Sequence, residues 1–167
     1  MISPEVLRRY PFFAGFDNDH IVKLAETANE RTVEPEHVFF EDTGKVESFY
    51  LLLEGEVAIY MDLPDRAASQ SIYQQLTRDL HTTRIVTATV TAGEVFGWSS
   101  LVPPHDSTAS AKALSTCRVA QFDASRILNL MAQDCRFGFL MMQRVAALIR
   151  DRLRDSRLET LVYFATE

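Results

Sequence analysis

Apolar positions along the chain keep two different periods. Near the N-terminus they fall at helical spacing. Ile21, Leu24, Ala25 and Ala28 share one face of a helix that Asp17 or Asn18 caps and that runs to about residue 29. Ahead of it, Ser3, Pro4 and Glu5 are the residue types of a helix start, so a short helix is expected over 3–9. Pro11 ends that helix, and Phe12, Phe13 and Phe16 form a dense apolar knot. From Thr32 the period shortens. Val33, then 37–40, 49–53 and 57–60, are runs of β-branched and aromatic residues separated by turn signals at 34–36, 42–45 and 54–56. Strands at a spacing of about ten residues are the pattern of an antiparallel sandwich or barrel.

A polar segment, 62–83, interrupts the rhythm and reads as a hairpin insertion, with a short helix over 71–80. Strands resume over 84–91, where Ile85, Thr87 and Thr89 alternate with Val86, Ala88 and Val90. The stretch GEVFGWSSLVPPHDSTASAKA, 93–113, reads as a turn, a short helix and a return strand over 108–113. A strand over 117–122 follows, and Asp123 caps a helix over 124–131. The last helix, from 136 to about 161, carries Met141, Val145, Leu148, Ile149, Arg152 and Leu153 at steps of three and four. At about 25 residues it spans roughly 37 Å, more than a domain this small needs to cover its own sheet. Either it only covers the sheet, or it also pairs with its twin in a parallel dimer through that stripe.

The resulting order is helices, an eight-strand-like β region, and helices, in one domain of 167 residues. The N-terminal helices occupy 1–31, the β region 32–122 and the C-terminal helices 123–167, with no helix-turn-helix expected. A formal charge of −6 argues against a protein whose main task is to hold nucleic acid. No apolar run approaches the ~20 residues of a membrane span, and no signal peptide is visible. A cytoplasmic protein is expected. Cys117 and Cys135 lack metal-ligand spacing, and His20, His37, His81 and His105 are scattered. No catalytic residue and no metal ligand is assigned.

The opening YPFFAGF, the run FFEDTGKVESFYLLLEGEVAIY, GEVFGWSSL, and VAQFDASRILNLMAQD followed by VAALIRDRL together resemble the cyclic nucleotide-binding domain family of bacterial transcription regulators and kinase regulatory subunits. The resemblance implies a mainly β fold with flanking helices: an eight-stranded antiparallel β-roll of jelly-roll type, N-terminal helices and a long C-terminal helix. It also implies a ligand pocket inside the roll. In that family a phosphate-binding cassette offers helix N-terminal N–H groups, a Glu for the ribose and an Arg for the cyclic phosphate. The corresponding positions here are Gly97, Trp98, Ser99, Ser100, Ser107, Thr108 and Ala109. Trp98 stands in place of the Glu and Ser107 in place of the Arg.

Loss of one partner of a buried charged pair costs about 2–5 kcal/mol, or about 30-fold to several-thousand-fold in affinity. Ordinary cAMP or cGMP binding is therefore expected to be weak or absent, unless Arg84 or Arg118 swings in to replace the missing cation. Trp98 either fills core or walls a site for a different ligand, with the hydroxyls around it as hydrogen-bonding groups. His105 reads as a solvated loop histidine rather than a haem ligand. The expectation is a non-enzymatic, homodimeric sensor or regulatory module without a bound cofactor. It would take a small-molecule ligand or a protein partner, and shift a hinge near 134–138 to move the long helix. Two alternatives stand beside it, a working cyclic nucleotide receptor and the sensory part of a transcription regulator.

Overall fold

The computed structural model of the protein describes residues 2–64 and 82–165. Helix α1 (Pro4–Leu7), a 3-10 turn (Pro11–Phe13) and helix α2 (Asn18–Glu26) come first. Asp17 caps α2, its carboxylate accepting from the His20 N–H at 2.9 Å. The helix ends earlier than expected. The Thr27 hydroxyl donates to the Leu24 carbonyl at 2.8 Å, and Ala28 already pairs with Phe122 in the first strand. Ala28 is buried from a strand that starts where the helical phase would also have buried it, so the period alone could not mark the boundary.

The strands are β1 (Ala28–Val33), β2 (Val38–Phe40), β3 (Ser48–Glu54), β4 (Glu56–Pro64), β5 (Thr82–Thr91), β6 (Val95–Phe96), β7 (Ser110–Ala113) and β8 (Cys117–Asp123). They form two antiparallel four-stranded sheets, ordered β1-β8-β3-β6 and β2-β7-β4-β5. This is the β-roll expected. The sheet of β3 and β8 is covered on both faces, which explains why 49–53 is one unbroken apolar run. Phe49, Leu51 and Leu53 pack with Ala120 and Phe122 toward the helices. Tyr50 and Leu52 pack with Val119 and Cys117 toward the roll interior.

Strands β4 and β5 reach into the expected insertion, since Asp62, Leu63 and Pro64 pair with Arg84, Thr83 and Thr82. The rest of it, with the helix expected over 71–80, lies outside the described residues. The simple alternation expected over 84–91 does not hold. A register shift between Ile59 and Tyr60 leaves Thr87 unmatched, and Ile85 and Val86 are both exposed.

Two helices close the chain, α3 (Ala124–Gln133) and α4 (Cys135–Ala165). Asp123 caps α3 through the Arg126 N–H at 3.1 Å. Helix α4 has 31 residues and is longer than expected. Phe137, Met141 and Val145 bury it against the N-terminal aromatic knot, where Phe16 and Phe137 meet at 5.6 Å between ring centroids. Gly138 lets α3 and α4 approach closely, because a Cβ there would lie 2.9 Å from the Met131 carbonyl oxygen.

Asp134 sits between the two helices. Its Oδ1 accepts the Phe137 N–H at 3.0 Å and so caps α4. Its Oδ2 lies 3.1 Å from Nε2 of the buried His20 of α2. The Phe137 N–H, and after it the His20 ring, hold the Asp134 carboxyl below the usual carboxylate range. A carboxyl lowered in the folded state contributes stability that is complete above its ordinary pKa and is lost as pH falls toward the folded-state value. Asp134→Ala is therefore expected to melt below the wild type at neutral pH. In paired melts at decreasing pH, the gap between the two proteins closes through the carboxylate range.

Candidate functional site

The geometry of the cassette region starts at Gly97. Its φ of +75° lies in the left-handed region, and a Cβ there would sit 2.8 Å from the Ser48 carbonyl oxygen. The turn that follows, Trp98–Leu101, is a single 3-10 turn rather than the start of a longer helix. The Gly97 carbonyl that opens it is occupied from within. Both the Ser100 N–H, at 3.1 Å, and the Ser100 hydroxyl, at 2.7 Å, donate to the Gly97 carbonyl.

The residues expected at the site divide. Gly97, Trp98, Ser99, Ser107, Thr108 and Ala109 line one cavity of about 480 Å³ inside the roll. Ser100 lines a separate recess with His105. His105 is not the solvated loop residue expected, because its Nδ1 lies 3.0 Å from the Ser100 carbonyl oxygen. The Ser107 hydroxyl donates to the Ala109 carbonyl, closing a local turn. Trp98 packs half-buried against the helix-side core and also lines the cavity.

The strand walls combine apolar side chains, Phe40, Ile59, Met61, Val90 and Phe96, with the threonines Thr87 and Thr89. Phe96 is held by stacking on Tyr50, with centroids 4.8 Å apart and rings 12° from parallel. Helix α4 crosses the mouth and presents one turn to it, Arg152, Asp155 and Ser156.

No cation reaches the cassette from the directions expected. Arg84 forks onto Asp62, with Nε–Oδ1 at 2.9 Å and Nη2–Oδ2 at 3.1 Å, and lies over the Tyr60 ring at 4.2 Å. The same fork holds the Asp62 carboxyl below its usual range. Arg118 pairs with Glu30 at 2.7 Å and with Glu54. Lys112 pairs with Glu36 at 2.7 Å. The one cation lining the cavity, among the described residues, is Arg152. Its Nη2 lies 3.2 Å from Oε1 of Glu94.

Arg152 belongs to the stripe expected to pair in a dimer, and the structure divides that stripe as well. At about 100° per residue, Met141, Val145 and Arg152 lie on the face of α4 turned to the chain's own roll. Met141 and Val145 are buried there, and Leu148 and Ile149 pack half-buried against the same core. Leu153 lies about a quarter turn off that face at 50% exposure, and Phe139 and Leu161, further round, are exposed as well. The stripe was legible as a buried face, but the face belongs to this domain. Glu94 and the strand walls were missed, because nothing local in the sequence shows which strand residues face the cavity.

A family model described as the cyclic nucleotide-binding domain matches residues 30–134. The chain belongs to the cyclic nucleotide-binding domain family. A protein of Geobacter metallireducens GS-15 named for cyclic nucleotide binding is 29% identical over 92% of this chain and 99% of its own, with a TM-score of 0.72. A cyclic nucleotide-binding domain from Methylobacillus flagellatus KT has a TM-score of 0.74 at 19% identity, over 95% of this chain and 80% of its own. The catabolite activator protein of Thermus thermophilus has a TM-score of 0.65 at 21% identity, over 92% of this chain and 62% of its own. No curated protein matches.

In this member of the cyclic nucleotide-binding domain family, Trp98 and Ser107, the residues expected at the ribose and phosphate positions, both line the cavity. Among the described residues, no group of His, Cys, Asp or Glu is placed to hold a metal ion. No helix of theirs is long and apolar enough to cross a membrane.

The strained turn that shapes the cavity gives a direct test. Gly97→Ala puts a Cβ in a left-handed conformation against backbone, and is expected to cost about 1–3 kcal/mol. Urea denaturation followed by Trp98 emission measures the loss.

Proposed function

We propose that this chain is a non-enzymatic sensor or regulatory module. Its ligand sits in the roll cavity under α4, and cAMP and cGMP do not bind there in the family's usual way. The single observation that carries this reading is the cavity itself. It lies under α4 and is lined by aromatic and hydroxyl groups, yet among the described residues no cation stands at the cassette. The cavity is of ordinary size for a small-molecule site, and its lining has the ordinary balance of apolar wall and few polar groups.

The module works as a homodimer through the outward face of α4. Phe139, Leu153 and Leu161 support this, since they are large, exposed and on one side of a helix of 31 residues. Direct contact with nucleic acid is not part of the proposal, because the chain carries a formal charge of −6. Two unpaired thiols, Cys117 and Cys135, support a reducing, cytoplasmic setting. The likeness to the Thermus catabolite activator protein favours a second reading, in which the module is the sensory part of a transcription regulator.

Two experiments test these points. Isothermal titration of the purified chain with cAMP is expected to show no binding in the micromolar range. The double substitution Trp98→Glu with Ser107→Arg restores both missing side chains, and is expected to bring cAMP affinity into that range. Micromolar binding by the unaltered chain would overturn the proposal. For the dimer, Leu153→Asp is expected to give a monomer by light scattering after size exclusion, with an unchanged circular dichroism spectrum.

A further inference from the structure

The ion pair at the cavity mouth carries more than the position of α4. Arg152 and Glu94 meet at 3.2 Å, with side chains 26% and 41% exposed. A pair this open to water holds the two groups together only weakly. Glu94 does not depend on Arg152 for its other contacts. Its Oε2 accepts from the Thr91 N–H at 2.7 Å and from the Thr91 hydroxyl at 2.9 Å. Glu94 can therefore release the guanidinium without becoming an unpaired buried charge. Arg152, once released, faces a cavity walled by Phe40, Ile59, Phe96 and Trp98 and carrying the hydroxyls of Thr87, Thr89, Ser99 and Ser107. Partial removal from water strengthens a charge-assisted fork between guanidinium and carboxylate.

The charge count at the mouth limits the ligand further. Asp155 lines the cavity three residues beyond Arg152. With two carboxylates, Glu94 and Asp155, beside one guanidinium, a ligand head group with one negative charge is favoured and a second charge is repelled. A carboxylate also fits the two parallel N–H groups of a guanidinium.

We propose that Arg152 is the specificity-determining residue of this cavity, selecting a small carboxylate on a flat apolar body, whose head group takes the guanidinium from Glu94. The proposal rests on the reading of the cavity as a ligand site. The head group then lies at the α4 end of the cavity, not at the cassette end.

Trp98 is the chain's only tryptophan and lines the cavity, so its emission reports occupancy without a label. The probes are phenylacetate, the neutral 2-phenylethanol of the same shape, and phenyl phosphate. Each is titrated by Trp98 emission, with thermal shift as a second readout, on the full chain. Phenylacetate is expected to bind about tenfold more tightly than 2-phenylethanol, the effect of one hydrogen-bonded charge. Phenyl phosphate is expected to bind more weakly than phenylacetate. Arg152→Gln is expected to erase the difference between acid and alcohol. Glu94→Gln keeps the cation, frees it, and is expected to tighten phenylacetate by up to about fivefold.

Equal binding of acid and alcohol to the wild type, with Arg152→Gln indifferent, overturns the inference alone. Phenyl phosphate binding as tightly as phenylacetate overturns the assignment to carboxylates. If no probe alters Trp98 emission or melting temperature in either the wild type or Glu94→Gln, the ligand-cavity reading fails and takes this inference with it.

Discussion

The buried stripe of α4 is the constraint on which the rest of the site depends. Phe137, Met141 and Val145 are nearly inaccessible, and they set the rotation of the helix against the N-terminal aromatic knot. An α-helix does not twist freely along its length, so fixing one face near its start fixes the same face further on. Arg152 lies seven residues, about 10 Å, beyond Val145 on that face. The side chain at the cavity mouth is thus placed by core packing on the far side of the domain. The start of the helix is fixed separately, where Asp134 caps it and touches His20.

Much of this architecture was legible in the pattern of residues. The unbroken apolar run 49–53 gave a strand, and its lack of alternation follows from a sheet with both faces covered. The caps at Asp17 and Asp123 were legible because an Asx side chain before an apolar helix has few other uses. Boundaries were less legible where two periods agreed, as at Ala28. Alternation failed in β5, because a bulge opposite Ile59 and Tyr60 resets which face is inward. Such a bulge has no signature in one strand alone.

The site was legible in part for a similar reason. Gly97 was legible as a turn residue, and its left-handed φ against backbone is the physical reason glycine stands there; Trp98 and Ser107 were read as departures only through the family resemblance. What the cassette has instead could not be read. Arg84 and Arg118 were named as arginines from elsewhere that could swing in, yet each is held by acidic partners of its own. Arg152 was visible only as the polar member of an apolar stripe. Its partner Glu94 is 58 residues away in the chain, a separation that only the closed roll brings together.

Placement of the helix also bounds how it can respond. A ligand shifts a conformational equilibrium only by its difference in affinity between the two states. Moving α4 as a rigid body from its first turn would expose Met141 and Val145 and break the Asp134 cap, a cost that a single small ligand does not readily supply. Beyond Val145 the restraint weakens, since Leu148 and Ile149 are only half-buried and Leu153 is half-exposed. The pair between Arg152 and Glu94 acts within that outer half. On the proposed reading, occupation of the cavity would bias the outer part of α4, the part that also carries the exposed Leu153 and Leu161. A change at the cavity mouth and a change at the proposed dimer surface then belong to the same few turns of helix.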